Sequence, residues 1–61
     1  MKGNKLINER IKFLDDNVGF DYILEINDCN GFTEVVSKMG GDVITHRVYG
    51  NKPDNFRITE R

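Results

Sequence analysis

The sequence predicts a small α+β domain with the element order α-β-α-β-β, in which a three-stranded mixed sheet is covered on one face by two helices. Three observations lead there. Apolar residues recur at helical spacing near the N-terminus and again from Phe32 to Met39. They alternate from Phe20 to Ile26. β-Branched residues are common from Val43 to Tyr49 and from Phe56 to Thr59.

The first helix is read from Leu6 to Leu14. Ile7, Ile11, Leu14 and Val18 follow one helical face, which leaves Lys2, Lys5, Arg10 and Lys12 mostly on the outer face. Asn4 can cap the start by accepting an otherwise unpaired backbone N–H. Asp15, Asp16, Asn17 and Gly19 are poor helix residues and close it. In the next element, FDYILEI, Phe20, Tyr22, Leu24 and Ile26 form the expected core face, with Asp21, Ile23 and Glu25 largely wet.

The stretch NDCNGFTEVVSKMGG carries two competing signals. Asn30-Gly31 is a hairpin dipeptide that would start a strand at Phe32. Against it, Phe32, Val35, Val36 and Met39 stand at i, i+3, i+4 and i+7, one face of a helix. Asp28 or Asn30 could cap that helix and Gly40 could close it, so the segment is read as helical. Gly40-Gly41 then turns the chain into a closing hairpin through GNKPDN, where Pro53 fixes its own backbone angle and cannot donate a ladder bond. Ile44, His46 and Val48 share one side of that hairpin with Phe56 and Ile58; Val43, Thr45, Arg47 and Tyr49 share the other with Arg57, Thr59 and Arg61. The β-α-β portion implies a right-handed crossover between parallel strands. Two helices on one side leave the other side of the sheet open, with Ile23, Val43 and Tyr49 on it. Many small bacterial and phage-type proteins share this element order, and the order does not fix a function.

The chain has 61 residues, room for one domain spanning 1–61 with a small core. Domains of this size usually need a staple. Cys29 is the only cysteine, so no internal disulfide can supply one, and a lone thiol fits a reducing compartment. An open sheet face and the missing staple together lead to the expectation of a homo-oligomer. No apolar run follows the basic residues of MKGNKLINER, so a cytoplasmic protein without membrane attachment is expected.

Charge is unevenly spread. Net charge is −1, yet residues 15–34 carry Asp15, Asp16, Asp21, Glu25, Asp28 and Glu34 with no cation, between two basic ends. This argues against a generic polyanion binder, whose footprint would be net basic. The acids are read as a helix end, a wet strand face and a helix cap; if the strand ends bring them together, they become a docking surface for a basic partner.

No catalytic set emerges. His46, the only histidine, falls between Ile44 and Val48 on the apolar side and reads as a satisfied, partly buried side chain. Cys29 reads as a small residue at a strand-to-helix corner, with no route to a Cys/His pair. A calcium loop begun at Asp28 would need a carboxylate where Met39 stands. MGGD follows a helical pattern instead of opening one, so it is no phosphate cradle. No cofactor is implied.

The functional reading is a small non-enzymatic binding module, a regulator, inhibitor or adaptor, acting through a protein interface on its sheet. Arg47, Tyr49 and Arg57 are the candidate contact residues. The alternative is a nucleic-acid-binding module that adds Lys52 and Arg61 to the same face, stacking a base on the tyrosine and holding phosphates with the cations.

Overall fold

A computed structural model describes residues 5–60. The order is α1 (Lys5–Asn17), β1 (Tyr22–Cys29), β2 (Phe32–Met39), β3 (Asp42–Tyr49), a short 3-10 helix (Pro53–Asn55) and β4 (Arg57–Glu60). The strands form one antiparallel meander in the order β1-β2-β3-β4. This overturns the expected α-β-α-β-β order. There is one helix among the described residues, not two; the sheet has four strands, not three; and every pairing is antiparallel, so there is no crossover.

The correction turns on Phe32–Met39, which is a strand. Asn30-Gly31 makes the hairpin it signals: Cys29 pairs with Phe32 across it, and Gly31 takes φ +92°. At the other end Gly40 (φ +58°) and Gly41 (φ +94°) both have the positive φ that a type I′ turn needs, and Met39 pairs with Asp42. An isolated eight-residue helix gains little against its nucleation cost. A strand held by two tight hairpins pairs its backbone on both sides. As a strand the segment shows only a weak alternation, because the buried set is Thr33, Val35 and Ser37, with only one strongly apolar member.

A second correction concerns β1. Its register with β2 shifts between Ile23 and Glu25, leaving Leu24 as an extra residue. A bulge of this kind reverses the side-chain sequence along the strand. Tyr22 and Leu24, expected inside, are exposed. Ile23, expected on the wet side and later on the open face, pairs with Ser37 and packs against the core.

The helix runs three residues beyond the expected Leu14, through Asp15, Asp16 and Asn17. The amides of Val18 and Gly19 both donate to the Leu14 carbonyl at 2.8 and 3.2 Å, and Gly19 closes the end at φ +82°. Asn17 Nδ2 also donates to the Phe13 carbonyl at 2.8 Å. The proposed cap, Asn4, lies outside the described residues.

An α-helix is ~10 Å wide and strands are ~4.8 Å apart, so one helix covers about two strands. α1 lies over β2 and β3 and reaches the 3-10 helix. Leu14, Val35, Val48 and Phe56 form the buried centre, with Leu6, Ile11, Phe13, Phe20, Ile23 and Ile58 packed around it. The Phe13 and Phe56 rings meet edge to face at 5.4 Å. Each fully buried aliphatic side chain stabilises the fold by roughly 1.5–3 kcal/mol.

Arg10, expected on the outer face, is 2% exposed beneath the helix. Its Nε and Nη2 donate to the Gly50 carbonyl at 3.0 and 2.7 Å, its Nη1 to Thr33 Oγ1 at 2.9 Å, and its Nη2 to Asn51 Oδ1 at 3.3 Å. Thr33 Oγ1 in turn donates to Asp28 Oδ1 at 3.3 Å, and that carboxylate stands 3.8 Å from Arg10 Nη1. One guanidinium thus ties α1 to β1, β2 and the loop after β3. Gly50 is held there by sterics as well: its φ is +109°, and a Cβ would come within 2.4 Å of the Asn55 carbonyl oxygen.

Two consequences can be measured by urea unfolding. Arg10→Met strands the Gly50 carbonyl and removes the donor to Thr33 Oγ1, and should cost about 2–4 kcal/mol; an unchanged midpoint would show that the network does not hold the helix. Ser37 Oγ is buried without a hydrogen-bond partner among the described residues. Ser37→Ala should therefore raise stability by about 1 kcal/mol.

Candidate binding surface

The face of the sheet turned away from α1 is assembled from all four strands. Alternation from the observed register places Tyr22, Glu25 and Asn27 of β1, Phe32, Glu34, Val36 and Lys38 of β2, Val43, Thr45, Arg47 and Tyr49 of β3, and Arg57 and Thr59 of β4 on it. Three of the predicted contact residues meet there. Tyr49 pairs with Arg57 on one side and with Phe32 on the other, while Arg47 pairs with Glu34 and Thr59.

Their contacts form one continuous cluster. The Phe32 and Tyr49 rings lie 5.0 Å apart with an interplanar angle of 33°. The Arg47 guanidinium carbon is 5.4 Å from the Phe32 ring centre, and that of Arg57 is 5.6 Å from the Tyr49 ring centre. Arg47 Nε approaches Glu34 Oε2 at 3.4 Å. Asn27 Nδ2 donates to Glu25 Oε2 at 3.1 Å and to Glu34 Oε1 at 3.5 Å, carrying the chain of polar contacts to β1. Hydrogen bonding to Tyr49 most of all, and then to Glu34, raises the Arg47 guanidinium above its ordinary pKa, with burial opposing. The closest charged contact is nevertheless the one with Glu34.

Lys52 is not on a strand of this face. It lies in the loop before the 3-10 helix and borders an open depression with Gly50, Asp54, Asn55 and Arg57. Arg61 lies outside the described residues. Phe32, Glu34, Val36 and Lys38 were missed because the helical reading of β2 removed them from the sheet. The Asn30-Gly31 dipeptide was the signal that could have found them.

His46 lies on the helix side, 5% exposed, as its place between Ile44 and Val48 implies. Its Nδ1 has no hydrogen-bond partner among the described residues, so it is buried but not fully satisfied. Cys29 ends β1 at a hairpin, not at a strand-to-helix corner, and its Sγ is 3.8 Å from the Asn27 carbonyl. The register puts Cys29 on the open face and His46 on the covered one, so the two do not form a pair. Among the described residues no three His, Cys, Asp or Glu side chains converge in a way that could hold a metal ion. No helix among them is long and apolar enough to cross a membrane.

No family model, curated protein or solved structure gives a match to this chain. The surface itself is what bears on function. It combines aromatic rings with arginines stacked on them, residue types enriched where proteins meet. If the Phe32–Tyr49 pair organises it, a double-mutant cycle with Phe32→Ala and Tyr49→Ala should give a coupling of about 0.5–1.5 kcal/mol in urea unfolding. Additive effects would mean that the rings act independently.

Proposed function

We propose that this chain is a small non-enzymatic binding module, a regulator or adaptor, that acts through the open face of its sheet on a protein surface, including that of a second copy. One observation carries the reading: a four-stranded sheet with a helix on one side leaves the other side uncovered, with Tyr22 and Val43 more than half exposed at one end of it and the Phe32–Tyr49 pair at the other. In so small a domain, an apolar patch of this kind marks a contact surface.

Nucleic-acid binding is supported less well. Lys52 lies in a loop and not on a strand, and Glu25 and Glu34 are interleaved with Lys38, Arg47 and Arg57. Arg47 is already matched to Glu34. A phosphate track favours an unbroken run of cations.

Sedimentation over a wide concentration range, with nucleic-acid retention measured in parallel, tests the proposal. Concentration-dependent association that is abolished by Val43→Lys and Tyr49→Lys is the expected result. A chain that stays monomeric throughout and is retained on RNA with a steep salt dependence would overturn it.

A further inference from the structure

We propose that the outer edge of β1 captures an extended, basic segment of a partner protein as a fifth strand, a site distinct from the open face. The two edges of the sheet differ sharply. β4 is four residues long and presents Arg57, Thr59 and Glu60 to solvent, a short charged edge of the kind that blocks strand addition. β1 is eight residues long, and among the described residues no strand pairs with its outer side. It also holds three of the five large apolar side chains left exposed among the described residues: Tyr22 at 54%, Leu24 at 51% and Ile26 at 41%. Val18, a fourth, lies in the turn just before it. Ile26 pairs with Val35 and so faces the helix side, but α1 lies over β2 and β3 and leaves it uncovered.

Charge identifies the occupant. Asp21, Glu25 and Asp28 lie at or beside this edge, and no Lys or Arg occurs from Asp15 to Glu34. β1 carries no cation of its own, and the nearest, Arg10, is already engaged with Asp28; pairing β1 with the same strand of a second copy therefore gains no charge complement, and registers that bring Glu25 opposite Glu25 or Asp28 set acids against acids. Like charges across a strand pair are destabilising. The carboxylates therefore oppose self-pairing while favouring a cationic strand. Glu25 faces the open side, whereas Ile26 and Asp28 fall at helix-side positions. An added antiparallel strand that reads basic–polar–apolar–basic would place cations opposite Asp28 and Glu25 and an apolar side chain opposite Ile26. Main-chain bonds would supply affinity, and these three positions the selectivity.

The test is a titration of the isotope-labelled full chain, followed by NMR, with two short extended peptides. One has the basic–polar–apolar–basic core; in the other both bases are replaced by glutamate. The basic peptide should bind roughly tenfold or more tightly than its acidic counterpart. That preference should shrink in high salt, and slowed amide exchange should appear along residues 22–29. Glu25→Lys, at an exposed position, should reduce the preference, but the wild-type comparison of the two peptides stands without it. Equal binding of the two peptides, or none, overturns the proposal. So does a set of shifts centred on Arg47, Tyr49 and Arg57, which would instead assign the peptide to the open face. Pairing of β1 with β1 of a second copy in the absence of peptide would also sink it. Because the readout is local to β1, failure here is distinguishable from failure of the open-face reading.

Discussion

The buried guanidinium of Arg10 decides where the helix lies, and the exposed surfaces follow from that placement. A charged side chain beneath a helix is costly unless its donors are met. Here Nε and both terminal nitrogens find acceptors on Gly50, Thr33 and Asn51. Those acceptors come from a strand and a loop far away in sequence, so the network can form only when the meander is complete. It fixes the position of α1 over the sheet, while Leu14 against Val35 and Val48 supplies the apolar contact.

Once the helix is placed, its width limits what it can cover. It shields two central strands, and the 3-10 helix with Phe56 closes the end near β4. β1 is left with an uncovered helix-side residue, Ile26, and a free outer edge. The whole opposite face is left without a second layer. The fold thus has two unshielded regions of different character. The open face is mixed in charge and rich in ring contacts. The β1 edge is acidic and aliphatic, and its backbone is available for pairing. A basic strand fits the second and has no particular complement on the first.

Much of the closing hairpin could be read directly. Strict alternation places Ile44, His46 and Val48 inward and Arg47 and Tyr49 outward, and the register agrees. Tyr49, Arg47 and Arg57 are therefore legible as neighbours from the alternation alone. The middle of the chain misled for identifiable reasons. Phe32, Val35, Val36 and Met39 satisfy a helical period by coincidence, while the true buried set includes Thr33 and Ser37, whose small polar side chains hide the alternation. In β1 a single extra residue at Leu24 transposes inside and outside. Arg10 misled because a charge is normally assigned to solvent, and only a distant carbonyl makes its burial tolerable.

The sequence by itself determined the local features: the first helix, the turn at GNKPDN, the two glycine-containing hairpin signals and the alternating closing strands. Each depends on residues within a few positions of one another. Tertiary structure alone decided that Phe32–Met39 is extended, that Leu24 is a bulge and that Arg10 lies inside. The energies that settle those choices arise between segments: ladder bonds on both sides of β2, register against a neighbour, and acceptors contributed by a loop some forty residues away. No local window of the chain contains them.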